Sequence, residues 1–138
     1  MTRYLLTISS AEYAMADTIL LVEDQTLVRM AISQYLEECG YSVLESEDAD
    51  QALELLQSHP EIDVVFTDVR IPGSIDGLGL AKWVIENRPH IVVMVASGHT
   101  AQEVLAKELC GAKAFSKPYN FEEVTSHIRE AIQGRRIN

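Results

Sequence analysis

The sequence predicts an α/β domain built on a doubly wound parallel sheet. Three observations carry this reading. A short β-branched run followed by a helical pattern recurs along the chain until five strands and five helices are counted. The third and fourth runs, residues 62–67 and 91–96, are rich in Val and Ile without alternation, as strands covered on both faces are. Glycine or proline closes most of the helical units. Strands that alternate with helices pair in parallel, and their crossovers are right-handed.

The elements follow in order. The first strand is residues 18–22, Thr-Ile-Leu-Leu-Val. A helix is expected over 27–39, with Leu27, Ala31 and Tyr35 spaced as a buried stripe. Gly40 ends it, where the backbone must turn left-handed. The second strand is 41–45. The next helix, 49–57, turns Ala52, Leu53 and Leu56 inward, and Pro60 closes the unit. After the third strand and a loop, a helix over 78–87 stops before Pro89. The fourth strand leads to a helix over 101–110, ended by Gly111. A short fifth strand, 112–116, precedes a last helix over 121–133 that Gly134 ends. Residues 1–17 stand outside the scheme as a disordered or loosely docked extension, with Met15 as an alternative start. Residues 18–134 make the domain, and 135–138 are a loose tail with no second domain after the last helix.

Composition narrows the classes of function. The 138 residues suit one domain, and a hydrophobic share of 47% suffices for one core. No apolar stretch is long enough to span a bilayer, and residues 4–8 are too short for a signal-peptide core. A cytoplasmic protein without membrane attachment is expected. The net charge of −10 repels phosphate backbones and argues against direct nucleic-acid binding. Cys39 and Cys110 lack metal-type spacing and are expected to be buried structural thiols.

Doubly wound sheets place their chemistry at the carboxyl ends of the strands. Those ends read Glu23-Asp24 after strand one, Asp68 after strand three, Ser97-Gly98 after strand four and Lys117-Pro118 after strand five. Three carboxylates on one rim repel one another unless a cation joins them. Oxygen ligands of this kind suit Mg²⁺, or Mn²⁺ in its place. A carboxylate can act as nucleophile toward phosphorus, with an ammonium and a hydroxyl holding the remaining phosphoryl oxygens. Capping of the following helix is the competing role for Asp24 and Ser97, a solvated surface position for Lys117, and plain core packing for Phe115.

These residues also carry a resemblance. Glu23-Asp24, Asp68 within Val-Val-Phe-Thr-Asp-Val-Arg-Ile-Pro-Gly, Ser97-Gly98 and Ser116-Lys117-Pro118 resemble, in order and spacing, the receiver domain of two-component response regulators, single-domain type. The resemblance covers residues 18–134. It implies a flavodoxin-like sheet in the order 2-1-3-4-5. It implies that Asp68 is the phosphoacceptor, taking its phosphoryl group from a histidine kinase or a histidine phosphotransfer protein. By the same likeness Asp24, Asp68 and the Arg70 backbone carbonyl hold Mg²⁺, with Glu23 acting mainly through water. Ser97, Gly98 and Lys117 surround the phosphoryl group, Asp68, Lys117 and Ser97 serve its transfer, and the Lys117–Pro118 bond is cis. Ser97 and Phe115 form the switch, and the face of helix four, strand five and helix five changes shape for a downstream protein. A homodimer is a further assembly compatible with this reading.

The sequence departs from the family's usual pattern in one loop. Val-Arg-Ile-Pro-Gly-Ser-Ile-Asp-Gly after Asp68 is one residue longer than the commonest form. Arg70 and His99 stand where they can affect how long the phosphoryl group lasts. Two other classes compete. An aspartate-based phosphatase wants a second acid two residues after its nucleophile, where Arg70 stands. A flavin-binding module wants a glycine-rich phosphate loop after strand one, where Glu23-Asp24 stands. His59, His90 and His127 are expected in solvent, and Trp83 in partly buried packing.

Overall fold

The computed structural model describes residues 17–98 and 111–137. Its elements are β1 (Thr18–Val22), α1 (Thr26–Glu38), β2 (Ser42–Ser46), α2 (Ala49–Ser58), β3 (Ile62–Asp68), α3 (Gly77–Asn87), β4 (Val92–Ser97), β5 (Ala112–Ser116) and α4 (Phe121–Ile137). The helix expected over 101–110, together with His99 and Cys110, lies outside the described residues. The five strands form one parallel sheet in the order β2-β1-β3-β4-β5, as the resemblance implies.

That order places the site. The chain steps from β1 outward to β2 and then returns across β1 to β3. The crevice between the ends of β1 and β3 is therefore the switch point of the sheet. Val22 pairs with Thr67, so the next residues, Glu23 and Asp68, leave the sheet side by side. Asp68 pairs with Ala96, and Ser97 pairs with Ser116. Register thus brings Glu23, Asp68 and Ser97 to one rim, with Lys117 directly after Ser116.

Alternate strand residues feed two separate core layers. Leu20, Val22, Val65 and Val93 face α2 and α3, where they meet Ala52, Leu56, Leu80 and Val84. Ile19, Leu21, Val64, Phe66 and Met94 face α1 and α4, where they meet Ile32, Leu36, Val124 and Ile128.

Several expectations need correction. The buried line of α1 is Ile32, Ser33 and Leu36, whereas Leu27 is 81% exposed and Ala31 is exposed. Leu27 stands in the first turn of the helix beside the rim, and no element among the described residues covers it. Gly134 does not end the last helix, which continues to Ile137, and Arg135 reaches Asp63 at 3.7 Å instead of lying in a loose tail. One glycine costs a helix about 1 kcal/mol, too little to break one already docked on the sheet. Cys39 is exposed, not buried, because it sits at the C-cap of α1 beyond the packed line. His127 is half-buried against the ring of Phe115, not solvated.

Candidate functional site

The backbone around Asp68 is fixed on every side. The Val69 amide donates to the Ala96 carbonyl at 2.9 Å, which continues the β3–β4 ladder past the strand. The Gly77 amide donates to the Val69 carbonyl at 2.8 Å and closes the loop onto its own start. Gly77 approaches so closely that a Cβ there would lie 1.9 Å from the Asp68 carbonyl oxygen. Only glycine fits. The buried Thr67 hydroxyl adds a bond of 2.9 Å to that same carbonyl.

The Asp68 side chain is then presented into a hollow. Its Oδ1 accepts from the Arg70 amide at 3.2 Å, and its Oδ2 accepts from Nζ of Lys117. Lys117 is positioned by its own amide, which donates to the Ser97 carbonyl at 2.8 Å, and its bond to Pro118 is cis. The hollow has a volume of about 430 Å³ and is lined by Asp24, Gln25, Asp68, Val69, Arg70, Ser97, Gly98 and Lys117. Among the described residues, nothing lies within 4 Å of where a Cβ on Gly98 would stand.

Glu23 and Asp24 divide their roles by burial. Asp24 is exposed and lines the hollow. It does not cap α1, whose N-cap is Gln25 without a side-chain bond. Glu23 is 4% exposed and does not line the hollow. Its Oε2 accepts from the Gln25 amide at 3.0 Å. Burial raises the Glu23 carboxyl above its ordinary value, and the Asp68 charge adds to this, while the Gln25 amide opposes it. A buried carboxylate facing a second one is costly without a cation.

Arg29 supports this end of β1. Its Nη1 donates to the Glu23 carbonyl at 2.8 Å, and its Nε to Glu45 at 3.1 Å. Ser33 holds the other Glu45 oxygen at 3.2 Å. Thr67, Gly77 and Arg29 were not singled out from the sequence. The Asp76-Gly77 pair was a usable signal for the close approach, whereas nothing in the spacing marked Arg29.

Behind the hollow stands an aromatic group. Phe115 is buried, and its ring lies 6.2 Å from Phe66 and 6.3 Å from Tyr119. Tyr119 continues to Phe121 at 6.3 Å, and Phe121 to Tyr35 at 5.0 Å. The Tyr119 phenol is pushed up to about 12, first by burial and then by the charges of Glu23 and Asp68. Beside Lys117 and Pro118 opens a second, apolar groove of about 770 Å³ against α1 and Phe121. Leu27 and Val28 on the exposed side of α1 line it.

The donor set suits a hard divalent cation. The rim offers carboxylate and carbonyl oxygens, and among the described residues neither histidine nor cysteine lines the hollow. Among the described residues no three acidic, His or Cys side chains are gathered tightly enough to hold an ion as they stand. Magnesium does not require this, since it binds through one or two carboxylates and keeps several waters. Asp24 and Asp68 meet that need.

The response regulator receiver domain family matches residues 19–129. The chain belongs to this family. Receiver domains are the regulatory phosphoacceptors of two-component systems. This receiver is 33% identical over 120 residues to a cyclic di-GMP phosphodiesterase of Thermotoga maritima, covering 86% of this chain but only 32% of that protein. It is 28% identical over 120 residues to sporulation initiation phosphotransferase F of Bacillus subtilis, covering 86% of this chain and 95% of that one. Among solved structures, the signal receiver domain of an HD domain-containing protein from Pseudomonas fluorescens Pf-5 superposes with a TM-score of 0.79 at 26% identity. That superposition covers 89% of this chain and 99% of the other. No helix among the described residues is long and apolar enough to cross a membrane.

Proposed function

We propose that this receiver accepts a phosphoryl group on Asp68 from a phosphohistidine donor and switches partner binding in response. One observation carries the reading. Asp68 stands at the switch point of the sheet, ion-paired with Lys117 and sharing one hollow with Asp24, Arg70 and Ser97. An Asp68 oxygen attacks phosphorus, and the phosphorus–nitrogen bond of the donor breaks, with its electron pair going to the imidazole. Lys117 and the Ser97 hydroxyl hold phosphoryl oxygens, with Gly98 beside them. Asp24, Asp68 and the Arg70 carbonyl would hold Mg²⁺ or Mn²⁺, with Glu23 acting through water. Such an ion neutralises charge on the transferring oxygens.

The donor is a histidine kinase or a histidine phosphotransfer protein, and the setting is cytoplasmic. The apolar groove beside Lys117, with exposed Leu27, is the surface on which such a protein can dock while presenting its histidine. Phosphorylation exchanges a carboxylate for a group of about −1.5 to −2 charge. Ser97 is drawn toward it, and Phe115 moves into the space released. The surface of β5, the last helix and the helix expected over 101–110 then binds a downstream protein. The chain assists its own phosphorylation and dephosphorylation and turns over no external substrate. Arg70 stands where an aspartate-based phosphatase would carry its second acid.

Mass spectrometry after incubation with acetyl phosphate and Mg²⁺ tests the reading. One phosphoryl group should be gained by the wild type and none by Asp68→Asn. An unmodified wild type, or equal labelling of the variant, overturns it.

A further inference from the structure

The loop over residues 69–76 presents Arg70 to the hollow, and its two ends are held by the Val69 and Gly77 bonds described above. Ile71 is buried in the core under it. The tip, residues 72–74, lies against the start of α2. There the Ala49 amide donates to the Pro72 carbonyl at 3.1 Å. Gly73 has φ +123°, and a Cβ there would stand 3.1 Å from both the Ala49 nitrogen and Oδ2 of Asp50. Asp50 then grips Ser74 with both oxygens. The Ser74 hydroxyl donates to Oδ1 at 2.6 Å, and its amide donates to Oδ2 at 3.1 Å. The Ser74 hydroxyl, and second its amide, hold the Asp50 carboxyl below its ordinary value. The helix itself does not need this side chain as a cap. Asp48 already fills that place, accepting from the Gln51 amide at 2.7 Å.

We propose that Asp50 and Ser74 are positioning residues, a clamp that holds the lengthened loop so that the Arg70 carbonyl is ready for a divalent cation beside Asp68. The inference rests on the phosphoacceptor reading above. The physical argument is preorganisation. A functional group must be held within roughly 0.5 Å of its productive place, and a free loop tip fails this by wandering. Fixing residue 74 to a helix packed on the sheet removes that freedom in advance. Outer partners that touch a metal ligand directly are worth roughly 10–100-fold in metal affinity. The clamp acts through several residues of loop, so a smaller effect is expected.

The test uses the full chain. Magnesium affinity is measured by calorimetry, and amide hydrogen exchange of residues 69–76 is measured without metal. Asp50→Ala should weaken Mg²⁺ binding about fivefold and speed exchange across the loop. Ser74→Ala, which keeps the amide bond, should show part of both effects, and Ser74→Thr should restore them. Asp48→Ala is the control: it should lower the urea midpoint by loss of its cap while leaving Mg²⁺ affinity unchanged. Wild-type affinity in Asp50→Ala and Ser74→Ala overturns the clamp alone, as does an equal loss in Asp48→Ala. A wild type that binds no Mg²⁺ at the carboxylate rim overturns the underlying reading as well.

Discussion

The side of the sheet covered by α2 and α3 buries aliphatic residues, from Leu20 and Val22 through Leu56, Ile62 and Val65 to Leu80 and Val84, with Trp83 packed partly buried against them. The side covered by α1 and α4 holds Phe66 and Phe115, with Tyr119 and Phe121 packed against them. Among the described residues the large exposed hydrophobics also belong to that second side, since Leu27, Val28 and Met30 all stand on α1. Both sides border the same hollow. The first contributes a pinned loop, and the second contributes rings in edge contact with an apolar groove beyond them. The difference teaches a division of labour: branched aliphatics interlock and hold one geometry, whereas aromatic planes keep packing area through a change of rotamer. Substitutions in the first side's core should cost stability, and substitutions at the exposed apolar positions of the second should alter signalling at nearly constant stability.

The largest expected effect tests the first half of that contrast. Leu56 is 2% exposed within the aliphatic layer. Leu56→Ala should cost about 2–5 kcal/mol in urea denaturation, because the transfer energy of the side chain is lost and a cavity remains. The fraction still folded should accept a phosphoryl group from acetyl phosphate at the wild-type rate. A folded variant with slowed phosphorylation would break the comparison, since it would show the aliphatic layer tuning the chemistry.

The second half is tested at Leu27. An exposed side chain contributes little to folding, so Leu27→Asp should leave stability within about 0.5 kcal/mol of wild type. Transfer from a phosphorylated histidine protein should fall about tenfold, as expected when an apolar anchor is replaced by a charge. Transfer from acetyl phosphate, which needs no docking surface, should be unchanged. Equal rates from the protein donor would remove the groove from the account.

The same contrast explains what the sequence disclosed. Strands were readable because β1, β3 and β4 are apolar runs closed by polar rim residues, and burial on both faces permits little else. Glu23, Asp24, Asp68, Ser97 and Lys117 were readable as rim positions because each ends a strand or closely follows one, and register brings those strand ends to one edge of the sheet however far apart they lie in the chain. The rotation of α1 was not readable. Leu27, Ala31 and Tyr35 match helical periodicity as well as Ile32 and Leu36 do, and spacing cannot separate a core stripe from an apolar surface left open. The clamp was hidden for a different reason. Asp50 and Ser74 stand 24 residues apart on a helix end and a loop, and neither position carries a pattern by itself. Gly134 misled because one glycine costs a helix only about 1 kcal/mol, and the turns before it are already anchored by buried Val124, Ile128 and Ile132.

The smallest effect at neutral pH is expected at Tyr119, and it sharpens the comparison most. Its phenol titrates at about 12 in the fold, above the ordinary value of 10 that the unfolded chain shows. A raised value means that the unfolded state loses its proton first as pH climbs. The contribution to stability is therefore complete below pH 10, declines as pH rises from 10 toward 12, and has no further slope above that window. Tyr119→Phe should match the wild type within about 0.5 kcal/mol at pH 7 and lack its share of the alkaline decline. Because the Asp68 charge is one cause of the upward displacement, Asp68→Asn should bring the phenol down, read as phenolate absorbance during titration. Leu56→Ala should leave it in place. An Asp68→Asn protein whose Tyr119 titrates where the wild type does would mean that the ring does not sense charge at the site, and the aromatic side would lose its claim to be the responsive one.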